Sequence, residues 1–381
     1  MKLNARHKAG LQLARLLPAS WRWKLLKIPA ARVLARDCGT AITGHKEDLS
    51  LAIPSRIGPH GEQIGSDVFA FRDAYSTHWG AHLTSDGRLI SDLSRQGIGI
   101  DKAHFAFGKP RLKKSRRIRG SVAALTIEHR SNYFHFISDS ISRLQLIQNL
   151  RHPPDYIYIQ SNQPYQSQLL SLLGYKPEQI IDSSRHPFIQ ADELIVPSFT
   201  SNFALLTPNS ISFLRSKLGK KKPDTSSSPG KVVYISRRDS PRRKVLNEDI
   251  LLERLSSFQV QAVALSELSV EQQIELFEDA EVVILLTGAG LANLSFAPPN
   301  LFLILLTPPN WFGESALEVI KPFSLDFLQV VLSDYPADTD PYSQPVRLTE
   351  HEIDTIVQAV TKAKARQSPP EPAPTSSCRN T

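Results

Sequence analysis

The sequence predicts an α/β protein of two domains, and three observations carry that expectation. The chain has 381 residues, more than one hydrophobic core ordinarily supports. Both halves alternate short apolar runs with amphipathic stretches, the pattern of strands and covering helices. Between the halves lies Lys217 to Gly230, where Lys220, Lys221 and Lys222 are followed by Pro223, three serines and Pro229. That stretch has linker composition and no apolar period. The expected organisation is a basic arm at 1–36, an N-terminal α/β domain at 37–216, a linker at 217–230, a Rossmann-like domain at 231–345 and a helix at 346–366. A Pro/Ser-rich tail at 367–381 is too polar to form a packed core.

The first half reads as follows. Residues 1–36 carry Lys2, Arg6, Lys8, Arg15, Arg22, Lys24, Lys27, Arg32 and Arg36 among leucines and two tryptophans, with no acidic residue. The reading is an uncleaved segment, either an interfacial helix on an anionic membrane or a solvated basic arm. Val68 to Ser94 is strand-like, with Phe69 and Phe71 alternating and Asp86-Gly87 marking a hairpin turn. A second basic run spans Lys109 to Arg119. An amphipathic helix is expected over 132–150, a strand over Tyr156 to Gln160, a helix over Gln163 to Leu173 and a strand over Leu194 to Phe199.

In the second half, strands are expected at Val232 to Ser236, Val260 to Ala264, Val282 to Leu286 and Leu301 to Leu306. Asn247, followed by Glu248 and Asp249, suits a helix N-terminus. Ser269 with Gln272 forms a capping box. Val282 to Gly313 holds no charged residue and is long enough to span a bilayer. Gly288, Gly290, Pro298 and Pro299 break it into strand, loop, short helix and strand instead. Such βαβ alternation demands a parallel sheet whose ligands lie beyond the carboxyl ends of its strands. Arg237, Arg238, Arg242 and Arg243 follow one of those ends, as planar donors suited to a diphosphate. Thr287-Gly288-Ala289-Gly290-Leu291-Ala292-Asn293 follows another, where a helix N-terminus would offer free N–H groups.

The net charge of +8 suits an anionic partner without naming it. The two cysteines, Cys38 and Cys378, offer neither a disulfide framework nor metal-ligand spacing, which fits a reducing, cytoplasmic setting. No nucleic-acid motif accompanies the basic runs, so nucleic acid is not expected as a partner.

In order, Tyr234-Ile235-Ser236-Arg237, Arg242-Arg243, Asn247-Glu248, Leu265-Ser266, Glu271-Gln272, Leu276-Phe277, Gly288-Ala289-Gly290-Leu291-Ala292-Asn293 and Pro298-Pro299 resemble the signature of glycosyltransferase family 61. Upstream, Asn132-Tyr133-Phe134-His135 with Asp139, Phe71-Arg72-Asp73-Ala74 and Asp86-Gly87-Arg88-Leu89 are similar to that family too. The resemblance implies two Rossmann-like domains facing a cleft, in the GT-B manner. It also implies an inverting hexosyl- or pentosyltransferase with a nucleotide-sugar donor and no required cofactor or metal. A glycan or lipid-linked glycan acceptor, in surface polysaccharide synthesis, would follow from it. At two positions the chain departs from the family: Thr287 stands where His is common, and Leu305 where a strand-end Glu is common. A catalytically degenerate nucleotide-sugar or glycan binder of the same fold is therefore the alternative.

The resemblance places donor contacts at Arg237, Arg242, Arg243, Asn247, Glu248, Thr287, Gly288, Ala289, Gly290 and Asn293. An inverting transfer needs a base for the acceptor hydroxyl. His135 and Asp139, four residues apart on one helix face continued by Ser142 and Arg143, are the candidates. Spacing alone favours a solvent-facing stripe there, and the resemblance favours a catalytic pair. Asp338-Thr339-Asp340 lies between two prolines and reads as a turn.

Overall fold

The computed structural model describes residues 32–35, 67–87, 89–90, 93–94, 115–129, 131–148, 150–201, 205–220, 230–309, 315–335 and 343–367. Most of the arm, most of the linker, the tail and Asp338-Thr339-Asp340 lie outside them. The first sheet is built from β1 (Arg32–Ala35), β2 (Val68–Arg72), β3 (Tyr75–Thr77), β4 (His82–Leu83), β5 (Arg116–Ala124), β6 (Tyr156–Ile159), β7 (Ile180–Asp182) and β8 (Phe188–Pro197). Strands β8, β5, β6 and β7 run parallel, and β1 to β4 extend the sheet antiparallel beyond β8. Among the helices of this half are α1 (Tyr133–His135), α2 (Leu144–Ile147), α3 (Pro164–Leu172) and α4 (Pro208–Leu218).

The second sheet is parallel throughout, in the order β10-β9-β11-β12-β13. Its strands are β9 (Lys231–Ser236), β10 (Gln261–Ala264), β11 (Ala280–Leu286), β12 (Phe302–Thr307) and β13 (Asp326–Val331). They alternate with α5 (Glu248–Arg254), α6 (Val270–Glu278), a 3₁₀ helix (Ala289–Phe296) and α7 (Ser315–Ile320), and α8 (Glu350–Gln367) closes the outer face. The uncharged run from Val282 thus becomes β11, the 3₁₀ helix and β12, apolar because both faces of the sheet are covered. Among the described residues no helix is long and apolar enough to cross a membrane.

The two sheets share an apolar layer. Alternate side chains of the second sheet point to opposite faces. Val232, Tyr234, Ile284 and Leu306 meet α8 on one side. Val233, Leu285 and Leu305 point the other way, into an apolar cluster that also holds Val68, Ala123 and Leu125 of the first sheet. Phe134, Phe136, Leu169, Leu294 and Phe296 join the two sets. The outer face of the first sheet carries its own cluster around Phe69, Val122 and Tyr158. Polar clasps cross the shared layer: Val270 N donates to Gln168 Oε1 at 2.8 Å, starting α6. Arg215 on α4 donates to the carbonyls of Ser295 and Ala297 at 2.6 and 2.8 Å.

Several local expectations change. The end of the basic arm, Arg32–Ala35, is a strand antiparallel to β2, not part of a helix. β5 occupies part of the second basic run, where Arg117 pairs with Asp73 and Asp192. The segment from Tyr133 to Ile147 is helical but not amphipathic: α1 passes through a π-turn (Phe136–Ser140) and a 3₁₀ turn (Ile141–Arg143) into α2, with every residue from Phe136 to Ile147 buried. The hairpin at Asp86-Gly87 forms as expected, with Leu83 bridging Leu89. Ser269 and Gln272 form their capping box at α6. α4, running to Leu218 inside the expected linker, had no sequence reading. α8 begins at Glu350, four residues later than its expected start.

Candidate active site

In the second sheet the strand order reverses between β9 and β11, since the chain winds from β9 outward to β10 and then returns past β9 to β11. Such a reversal opens a crevice beyond the carboxyl ends of the two strands. Arg237 follows β9 and Thr287-Gly288 follows β11, so both expected loops sit at that point. The arginines lie against the glycine loop: a Cβ on Gly288 would stand 2.5 Å from Arg237 Nη1. Gly288 therefore makes room for a guanidinium. Arg243 donates to the Thr287 carbonyl at 2.7 Å from a left-handed backbone, φ 52°. That conformation costs a residue with a Cβ about 1 kcal/mol or more, which marks the turn as constrained by its surroundings.

Arg237 donates to Ser240 Oγ at 3.0 Å and to the Arg242 carbonyl at 3.2 Å, while its Nε is buried with no partner among the described residues. Burial pulls its guanidinium below the ordinary value, offset in part by Asp239. Arg242 is exposed, and what it gives the loop is its carbonyl. Arg238 points away, to Glu267 at 2.6 Å. Glu248 accepts from Ser236 Oγ at 2.9 Å and from Tyr234 Oη at 3.1 Å, fixing the start of α5 to the end of β9. It also lines a shallow groove of about 360 Å³ with Arg238, Lys244, Val245, Leu246 and Asp249.

The acid–base candidates come from the other sheet. α1 follows the carboxyl end of β5, and Asn132 starts it by accepting from the backbone N–H of Phe134 and His135. His135 Nδ1 lies 2.8 Å from Asp139 Oδ2. An ionised carboxylate only accepts, so Nδ1 is the donor of this pair and Asp139 orients the ring. Asp139 is 6% exposed, so the pair lies under cover and the solvent-stripe reading fails. His129 packs beside His135, the rings tilted by 35° with centroids 4.8 Å apart. Burial first, and the neighbouring His135 next, hold the His129 imidazole below its ordinary pKa. The stripe does not continue: Ser142 donates to the Ser138 carbonyl, and Arg143 turns into the first sheet, donating to the Pro197 carbonyl with its guanidinium 4.5 Å over the Phe199 ring.

The elements that carry the two groups pack together, α1 against the 3₁₀ helix that follows Gly288. Tyr133 Oη donates to Asn293 Oδ1 at 2.7 Å, and Asn293 Nδ2 donates to Gln273 Oε1 at 2.9 Å. Asn293 is fully buried, so it is a link between the halves and not the expected donor contact. Asn247 is likewise corrected: it does not cap α5, and its amide is spent on both backbone groups of Leu348 at 2.9 Å. Gly290 gives its space to Leu265, whose Cδ1 would stand 2.8 Å from an added Cβ, and Ala289 packs on the shared core.

Thr287 is fully buried and its hydroxyl has no partner among the described residues. Leu305 is not at a strand end: it pairs with Leu285 inside β12 and is fully buried in the shared core. The residue at the carboxyl end of β12 is Thr307, also buried, with a hydroxyl that has no partner among the described residues. Sequence reasoning missed Thr307, although its place after an apolar run and before Pro308 is legible. It also missed His129, Gln273 and Arg215, for which no local pattern gives a signal. Among the described residues no three His, Cys, Asp or Glu side chains converge as a metal-binding set.

Residues 133–304 match the family model described as Glycosyltransferase 61. The match opens on α1 and closes in β12, so it takes in His135, Asp139, both arginine turns and the Gly288 loop, but not the upstream hairpin. Among solved structures, a dipicolinate synthase chain from Bacillus halodurans is similar over 60% of this chain and 70% of that one, at 11% identity and a TM-score of 0.17, too low to carry an argument. No curated protein matches the chain.

Proposed function

Residues 133–304 belong to the glycosyltransferase 61 family, and from that premise we propose that this glycosyltransferase moves a sugar from a nucleotide-sugar donor to a glycan or lipid-linked glycan hydroxyl with inversion. The observation that carries the reading is the covered His135–Asp139 pair, on a helix packed against the loop at the strand-order reversal. Asp139 orients the imidazole, whose other ring nitrogen, Nε2, would take the acceptor proton as the hydroxyl attacks the anomeric carbon. The departing diphosphate takes its place against Arg237 and Arg243, whose charge is fixed before the bond breaks. Arg237 Nε, buried and without a partner among the described residues, supports an anion there, because a desolvated cation gains most from a charged acceptor. The groove beside Glu248 has room for the nucleoside.

The test is kinetic. His135→Gln is expected to lower transfer about 100-fold or more while leaving nucleotide diphosphate affinity unchanged, and Asp139→Asn to act in the same direction. Undiminished transfer by folded His135→Gln would remove the imidazole from the mechanism. Donor hydrolysis without acceptor separates this reading from a degenerate binder. Leu305 lends the degenerate reading no support, since it packs in the core and faces no ligand position.

A role in surface polysaccharide synthesis and a peripheral cytoplasmic location belong to the same proposal. Nine basic residues and two tryptophans in residues 1–36 support attachment to an anionic bilayer, at about 1 kcal/mol per basic residue near the surface. A chain starting at Ala31, which keeps β1, should then lose affinity for phosphatidylserine vesicles, and equal binding would reduce the arm to a solubility device.

A further inference from the structure

We propose that Tyr133 is a positioning residue, its hydroxyl setting His135 against the Gly288–Gly290 loop through Asn293 and Gln273. The inference rests on the transfer reading above. Tyr133 and His135 share one turn of α1, and Asn293 lies three residues after Gly290 on the 3₁₀ helix. The bonds between them run in one direction. Tyr133 Oη donates to Asn293 Oδ1 at 2.7 Å, Asn293 Nδ2 to Gln273 Oε1 at 2.9 Å, and Gln273 Nε2 to the Leu265 carbonyl at 2.9 Å. Each donor fixes the orientation of the next amide, so reversing one group breaks two bonds. The chain begins beside the acid–base pair of the first sheet and ends on the carbonyl that follows β10 of the second. Asn293 is fully buried and Gln273 is 7% exposed, so water does not readily replace a lost bond.

Positioning of this kind acts on the chemical step, because a small misplacement of base and donor lowers the rate without removing a binding contact. Removing the hydroxyl should therefore change kcat and leave donor affinity alone. The decisive measurement uses the full chain, with calorimetry of uridine and guanosine diphosphate and steady-state transfer from the nucleotide sugar they indicate. Tyr133→Phe is expected to lower kcat at least fivefold, with donor KM and diphosphate Kd within twofold of wild type. Asn293→Asp keeps the acceptor for Tyr133 but turns a carboxylate oxygen toward Gln273 Oε1, and should lower kcat as much or more. The double variant should be no slower than Asn293→Asp, since residues acting as one unit are not additive. Unchanged kcat in folded Tyr133→Phe, or losses that multiply, would overturn the proposal. Should Tyr133→Phe lose the native circular dichroism, Asn293→Asp decides alone: full kcat in that folded variant overturns it. A wild type that neither transfers nor hydrolyses any nucleotide sugar overturns the transfer reading, and this inference with it. An active wild type with indifferent variants overturns only the inference.

Discussion

Arg237 concentrates the electrostatics of the site in one side chain. It lies against Gly288, its Nε is buried without a partner among the described residues, and burial depresses its pKa. A diphosphate would supply the missing acceptor. Replacing Arg237 by Ala should weaken nucleotide diphosphate binding by about 1.5 kcal/mol, a factor near ten in Kd by titration calorimetry. Arg254→Ala is the control, because that side chain is exposed, lies outside the groove and is spent on Glu350 and Asp354, and exposed pairs contribute little. Leu305 poses the opposite case. Restoring the family's Glu there would bury a carboxylate among Leu285, Leu303 and Val283 with no partner at hand. We expect Leu305→Glu to destabilise the fold by about 3 kcal/mol or more in urea titration, with no gain in sugar discrimination. Native-like stability would mean that the strand can turn this position outward.

At the scale of elements, the motif Asn132-Tyr133-Phe134-His135 divides into four physical tasks. Asn132 caps α1, Tyr133 reaches the second sheet, Phe134 enters the shared core and His135 faces Asp139. α1 is one turn long and runs straight into a π-turn, so it has few hydrogen bonds of its own. Its direction then depends heavily on the cap. Asn132→Ala should cost about 1 kcal/mol of stability. It should cost proportionally more transfer activity, because the cap sets where the imidazole stands. Chemical denaturation beside steady-state rates checks both, and a rate that falls no further than the folded fraction would assign the cap to stability alone. The π-turn also explains why helical-wheel reasoning misjudges this segment: Asp139 is covered instead of lying on a wet face.

At the scale of the molecule, the two sheets share an apolar layer that contains residues from both halves of the described chain. Each fully buried Leu, Ile or Phe there contributes about 1.5–3 kcal/mol by leaving water. Neither sheet keeps that contribution if the other unfolds. We therefore expect one cooperative unfolding transition, with far-ultraviolet circular dichroism and aromatic fluorescence superimposing in urea. Two resolved transitions would mean that the layer is weaker than its composition implies.

The sequence alone determined what depends on short-range pattern. The parallel second sheet, the capping box at Ser269, the loops after β9 and β11 and the family motifs are legible because strand burial, helix caps and turns act over a few residues. The alternation of Phe69 and Phe71 likewise marks a strand, and both side chains are buried. The fate of polar side chains was not legible in the same way. Asn247, Asn293 and Gln273 look like surface or ligand-facing residues, yet each is buried and bonded to a partner 20 to 160 residues away or, for Gln273, also to nearby carbonyls. Thr287 and Leu305 look like lost ligand contacts until their burial is known. Whether a polar group meets a ligand, solvent or another side chain depends on which distant segments the tertiary fold brings against it. Only the tertiary structure shows that α1, which carries His135, packs on the 3₁₀ helix that follows Gly288.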